Sequence, residues 1–197
     1  MNVALRRPMS LAEFLAWEAR QPSRYEFDGV GPVAMTGGTA GHAEIQANLA
    51  AALRSRLRGH RCRFFGADLK FQVADDHIRY PDGMVICSPV PRTATVVRDP
   101  VIVFEVLSAS TARTDRLVKA REYQATPSVQ RYVMLEQDSV GATVYARSGP
   151  LWTHELLIAG STLSLPEIGV EVPLDDLYEG IVFEEEPEGG SPESEPA

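Results

Sequence analysis

Hydrophobic and polar residues change period several times along this chain, and each change marks an element. Ser10 and Glu13 have the spacing of a capping box before an apolar-rich segment, which predicts a helix to about Arg20. A hairpin from about Arg24 to Met35 is expected to turn at Asp28-Gly29. Ile45, Leu49, Leu53 and Leu57 recur every fourth residue, so Ala40 to Leu57 reads as a helix with one apolar stripe and arginines near its end. Runs rich in Val, Ile and Phe predict strands near 62–65, 67–73, 79–87 and 100–107, and later near 130–136, 141–147 and 151–158. Between these groups, Thr114 to Tyr123 has helical spacing. The order predicts an α/β fold, a mixed β-sheet flanked by helices, with no internal repeat and no second domain.

One position breaks the apolar pattern in an informative way. Glu105 lies inside Val101-Ile102-Val103-Phe104-Glu105-Val106-Leu107, and a carboxylate buried in a strand is costly unless paired, hydrogen-bonded or metal-bound. Asp82 ends the run Arg79-Tyr80-Pro81-Asp82. If the two strands are neighbours, alternation lets Asp82 and Glu105 point the same way. Two convergent carboxylates offer the oxygen donors that magnesium or manganese takes, and a metal-bound water could then attack a phosphodiester.

Of 19 basic residues, 17 are Arg, and only Lys70 and Lys119 are lysines. Lys119 falls on the helix after the Glu105 strand, with Asp115 and Tyr123 at four-residue spacing on the same face. The loop from Ser108 to Arg113 would fold that face back over the strand end. Asp68 and Lys70 share a strand face, which suggests a surface ion pair or a place near the cleft.

Two stretches now resemble a known family. Y-P-D-G-M-V-I-C at 80–87 and F-E-V-L-S-A-S-T-A-R-T-D-R-L-V-K-A-R-E-Y at 104–123 resemble the Uma-two family of restriction-endonuclease-type proteins, within the PD-(D/E)XK nuclease superfamily. M-S-L-A-E-F-L-A-W at 9–17, R-Y-E-F-D-G at 24–29, G-H-A-E-I at 41–45 and L-P-E-I-G-V-E-V-P-L-D-D-L-Y at 165–178 extend the likeness to roughly residues 9–180. The resemblance implies a restriction-endonuclease-like single domain and metal-dependent nuclease chemistry, with Asp82 and Glu105 as metal ligands and Glu26 in its expected place. The lysine that the wider superfamily places two residues after the acid would fall at Leu107. Lys119, on the following helix, matches the position that supplies it in this type of protein. The hairpin departs from relatives too, with D-G-V-G-P at 28–32 where they more often carry an acid after the glycine.

Other side chains carry two readings each. Glu26 could orient a metal-bound water or be an exposed strand acid. His42, in the first turn of a helix, could reach a phosphate or act as a base, or be a polar residue at a helix start. Asp115 and Arg116 could hold Lys119 in place, or be ordinary first-turn charges behind a Thr114 cap. Ser108, Ser110 and Thr111 could touch a phosphate or serve as loop and cap. His60, His77 and His154 have no ligand spacing, and neither a zinc site nor a Ser-His-Asp arrangement is implied.

Composition bounds the remainder. The 197 residues suit one domain, expected over 1–183, and contain no stretch long enough to span a membrane or to act as a signal peptide. The final fourteen residues hold six acids and no base, an acidic tail of disordered composition over 184–197. Setting its six charges aside turns the net charge of −8 into −2, so no strongly basic nucleic-acid footprint exists at the level of composition. Cys62 and Cys87 lack a CxxC partner and are expected as buried thiols in a reducing cytoplasm.

The expectation is therefore a magnesium- or manganese-dependent endodeoxyribonuclease acting on DNA, cytoplasmic, and a homodimer because double-strand cutting needs two sites. Asp82, Glu105, Lys119 and Glu26 would be the catalytic set, and Ala at Asp82 or Glu105 would abolish cleavage in a folded protein. An inactive nuclease-fold binding or assembly module, and a metal-dependent hydrolase of another phosphate ester, are the alternatives.

Overall fold

The computed structural model describes residues 8–35, 37–74, 76–108 and 114–183. Its described elements are α1 (Leu11–Glu18), β1 (Tyr25–Asp28), β2 (Pro32–Ala34), α2 (Ala40–Arg56), β3 (Arg63–Gly66), β4 (Lys70–Val73), β5 (His77–Arg79), β6 (Gly83–Ile86), β7 (Val96–Val97) and β8 (Ile102–Val106). A π-helical turn (Asp115–Lys119) runs into α3 (Ala120–Ala125), followed by β9 (Arg131–Leu135), β10 (Gly141–Ser148), β11 (Leu151–Ile158), β12 (Thr162–Leu165) and β13 (Val170–Pro173). None of these helices is long and apolar enough to cross a membrane. The expected tail at 184–197, and Ser110 and Thr111, lie outside the described residues.

Local chemistry sets the first elements as expected. Ser10 caps α1, and Glu13 closes the box by accepting from the Ser10 backbone N–H at 2.9 Å. At the hairpin turn Asp28 accepts from the Val30 and Gly31 N–H groups, while Gly29 takes the left-handed φ of +84°. Burial pushes the Asp28 carboxyl up, but the backbone hydrogen bonds outweigh it and leave its pKa below the ordinary value.

Six strands form the central sheet in the order β11-β10-β9-β8-β6-β3, and β2-β1-β5-β4-β7 form a second sheet. β6 pairs antiparallel with β8, and β8 pairs parallel with β9 across the π-turn and α3. One face of the central sheet buries Val85, Phe104 and Val133 against Ile45, Leu49 and Leu53 of α2 and against the β12–β13 hairpin. The other face buries Met84, Val103 and Met134 with Tyr123 of α3 and Phe71 of the second sheet. Phe14 of α1 packs on Phe27, Ile78 and Tyr80 as a smaller outer layer.

Two expectations change here. The run 79–87 is not one strand: Arg79 ends β5 of the second sheet, residues 80–82 are outside any strand, and Gly83–Ile86 form β6 of the central sheet. Pro81 lies between them, has no N–H for a ladder and so ends one pairing. Cys62 and Cys87 are joined in a disulfide, not held as free thiols. The β3–β6 register pairs Arg63 with Ile86, so one further step sets the two cysteines opposite each other.

Candidate active site

The ends of β6 and β8 meet where the apolar pattern breaks. Gly83 is opposite Phe104, and the next pair of that ladder sets Asp82 across from Glu105. Gly83 is required at this corner, because a Cβ there would lie 2.7 Å from the Phe64 ring. Glu105 shares its strand face with Val103 and Leu107, which are buried on the α3 side. Helix α2 approaches the same corner from the other side of the sheet.

The α3 side is built from paired charges. Glu26, Arg79, Glu105 and Lys119 are 8%, 4%, 3% and 7% exposed, so each needs a partner. Lys119 Nζ lies 3.1 Å from Glu105 Oε1 and 3.2 Å from Glu26 Oε1, joining the two acids. The Tyr123 hydroxyl donates to Glu105 Oε1 at 2.9 Å. Burial, and next the Glu105 charge, hold the Tyr123 pKa well above the ordinary phenol value, so it stays a donor. Arg79 donates to Glu26 Oε2 at 3.2 Å and forks onto both oxygens of Glu122 at 2.7 and 2.6 Å. Burial lowers the Arg79 pKa, but its bonds and Coulomb attraction to Glu122 and Glu26 raise it more.

The α2 side presents an amide and an imidazole to Asp82. Gln46 donates to Asp82 Oδ1 at 2.5 Å, and His42 Nε2 lies 3.3 Å from Asp82 Oδ2. Oδ2 also accepts from the Val106 backbone N–H at 2.6 Å, which ties Asp82 to the Glu105 strand. Between the two sides lies an open cleft of about 460 Å³, lined by His42, Gln46, Asp82, Glu105, Ser108 and Lys119 among others.

The sequence candidates divide accordingly. Asp82, Glu105, Lys119, Tyr123 and His42 converge, and Glu26 sits behind Lys119 as a buried acid, not as an exposed strand residue. Arg116 turns away to Glu136, with 2.8 and 2.9 Å contacts, and does not brace Lys119 as its sequence position suggested. The Asp115 side chain lies outside the described residues. Asp68 and Lys70 do not pair with each other: Arg24 takes Asp68, and Lys70 reaches Glu18 at 3.1 Å. Sequence reasoning missed Gln46, Arg79 and Glu122. Gln46 was findable, since it follows His42 by one helical turn.

The donor set fits a hard divalent ion. Among the described residues Glu26 and Glu105 share Lys119, Glu26 and Glu122 share Arg79, and Asp82 is held by Gln46, His42 and the Val106 N–H, so its carboxylate has no Lys or Arg partner there. Asp82 and Glu105 are the pair that lines the cleft, and magnesium commonly takes one or two protein carboxylates and completes its shell with water and phosphate. Among the described residues no group of three or more His, Cys, Asp or Glu side chains is arranged to hold a metal.

Comparisons with known proteins agree with the fold and the motifs. The Uma2 family, described as "Putative restriction endonuclease", matches residues 11–175. An uncharacterized protein of Synechocystis sp. is 33% identical over 178 residues, covering 89% of this chain and 94% of that protein. A second uncharacterized protein of the same organism is 27% identical over 153 residues, covering 76% of this chain and 86% of its own length. A crystal structure titled as a "putative nuclease belonging to DUF820" from Anabaena variabilis superposes with a TM-score of 0.72 at 22% identity, covering 87% of this chain and 98% of that one. That last likeness establishes the fold alone. With a family match across most of its length and a curated relative above 30% identity, the chain belongs to the Uma2 family.

Proposed function

We propose that the protein is a magnesium- or manganese-dependent endonuclease that hydrolyses phosphodiester bonds in DNA. The observation that carries this reading is the placement of Asp82 opposite Glu105 at the mouth of the cleft, with Lys119 held against Glu105. Membership of the Uma2 family supports it.

In this account Asp82 and Glu105 would hold a metal, which would supply Lewis-acid polarisation of the phosphate and activation of water. Lys119 supplies a fixed positive charge beside the reacting phosphate, and Glu26 keeps it from collapsing wholly onto Glu105. Tyr123 donates to Glu105 Oε1 and so orients the carboxylate. His42 and Gln46 hold Asp82 and stand at the cleft wall. Two such chains as a homodimer would supply one site per strand of a duplex. The disulfide withdraws the free-thiol argument for a reducing compartment.

Plasmid cleavage with magnesium or manganese tests the reading. The wild type is expected to nick and linearise DNA only with metal, and Asp82→Asn and Glu105→Gln to fall by more than about 100-fold, the upper scale for groups one step removed from a metal. Cutting by either variant at the parent's rate would refute it. A second reading, an inactive binding module, draws on Leu107 standing where the superfamily lysine would be, buried in the apolar core. It predicts DNA or protein binding without cleavage and without any effect of these substitutions.

A further inference from the structure

The same helix that carries His42 and Gln46 to the cleft ends in an unusual concentration of charge. Between Glu44 and Asp68 there is no acidic residue, yet Arg54, Arg56, Arg58, Arg61 and Arg63 all lie there. Elsewhere Arg24 is matched to Asp68, Arg79 to Glu26 and Glu122, Arg116 to Glu136 and Arg131 to Glu167, and Arg98 and Arg147 bond to Gln72 and to backbone carbonyls, while exposed Arg20, Arg92 and Arg121 lie apart along the chain. Arg56 is likewise taken by Asp176. Arg54, Arg58 and Arg61 are exposed and form no ion pair among the described residues. Unmatched arginines next to one another repel, and that cost is recovered when an anionic polymer covers them.

Helical spacing links this patch to the cleft. Ala43, Ala47, Ala51 and Arg54 recur every three or four residues on the exposed face of α2, opposite the buried Ile45, Leu49 and Leu53, and Arg58 and Arg61 follow just past the helix end. Ala43 lines the cleft itself. At 1.5 Å per residue, Arg54 lies about 12 Å along the helix axis from Gln46, the residue bound to Asp82. One strand of a duplex rises about 3.4 Å per phosphate, so Arg54 stands roughly three to four nucleotides from the cleft. The small alanine side chains leave the intervening ridge open to a phosphate backbone.

We infer that the exposed ridge of α2, with Arg54 in its last turn and Arg58 and Arg61 just beyond it, is the surface on which duplex DNA is held by its phosphates on one side of the scissile bond. This rests on the endonuclease reading and adds where the substrate lies. It also reconciles an acidic chain with an anionic substrate, because binding depends on local charge and not on the net charge.

The test is the salt dependence of binding to a short random-sequence duplex, measured without divalent metal to prevent cutting. The variant Arg54→Gln, Arg58→Gln, Arg61→Gln should reduce the slope of log Kobs against log salt by roughly 2 to 3, given about 0.9 per phosphate contact. The matching Arg→Lys variant should keep the slope, and Arg20→Gln with Arg92→Gln, exposed arginines elsewhere, should leave it unchanged. A Gln variant with the parent's slope, in a protein whose wild type binds and cuts DNA, overturns this surface and leaves the endonuclease reading standing. A wild type that binds DNA through the ridge without cutting supports the surface and removes the endonuclease reading. A wild type that binds no duplex at all overturns both.

Discussion

The two walls of the cleft solve opposite problems. On the α3 wall, Glu122, Arg79, Glu26, Lys119 and Glu105 form a continuous chain of alternating charges inside the protein. On the α2 wall, Asp82 is held by Gln46, His42 and a backbone N–H, none of which needs to carry a charge. Charged partners in low dielectric cannot be removed singly without a large penalty, whereas neutral donors can be lost or exchanged for less. The α3 wall therefore fixes positions, and in the proposed reading the α2 wall leaves Asp82 available to a bound cation. Substitutions on the first wall should cost stability and activity together, and those on the second should cost activity with little stability.

The largest effect is expected from Lys119→Met. It leaves Glu26 and Glu105 facing each other without their shared cation, so urea unfolding should register a loss of about 3–5 kcal/mol together with loss of cleavage. Glu105→Ala would likewise strand Lys119, so the expectation of a folded but inactive Ala variant is better tested at this position with Gln. Arg79→Met should cost about 3 kcal/mol, near the lower end of that range because Glu26 retains Lys119 and the Tyr80 N–H. Stability unchanged in Arg79→Met would break the picture of a continuous charged wall. Tyr123→Phe removes one hydrogen bond to a buried carboxylate and should cost about 2 kcal/mol by the same measurement.

Across the cleft, Gln46→Ala should move stability by less than about 1 kcal/mol while lowering cleavage by about 10- to 100-fold. A large stability loss with full activity would reverse the assignment of the two walls. A separate effect is expected at alkaline pH. Burial, with the Glu105 charge next at Tyr123, raises the pKa of that phenol above 10.0, and burial raises those of Tyr80 and Tyr178 likewise. The stability these three contribute is complete below pH 10 and is lost as the pH rises through their folded values. Their ultraviolet titration should accordingly appear only with alkaline unfolding.

Much of this contrast can be read from residue order, and some of it cannot. Glu105 stands out because it interrupts a buried strand, and Lys119 and Tyr123 follow from helical spacing, although the turn before Ala120 is π-helical and shifts what lies N-terminal to Lys119. Arg79 and Glu122 were hidden because their pairing joins β5 to α3, elements 43 residues apart, and no local period reports such a contact. The split at Pro81 was present in the sequence, but the apolar run across it outweighed the missing N–H. The β12–β13 hairpin and the disulfide both depend on cross-strand register, Thr162 with Pro173 and Arg63 with Ile86, which composition does not set. Gly169, at φ +63°, was the one local mark of the first of these.

The most direct test of the central claim is a calorimetric manganese titration of the wild type, Asp82→Ala and Glu105→Gln, in the presence of duplex DNA held uncleaved by brief, cold measurement. A binding step in the wild type that is lost in both variants is the predicted result. Equal manganese binding in all three proteins, or none in the wild type, would contradict a metal site built on Asp82 and Glu105.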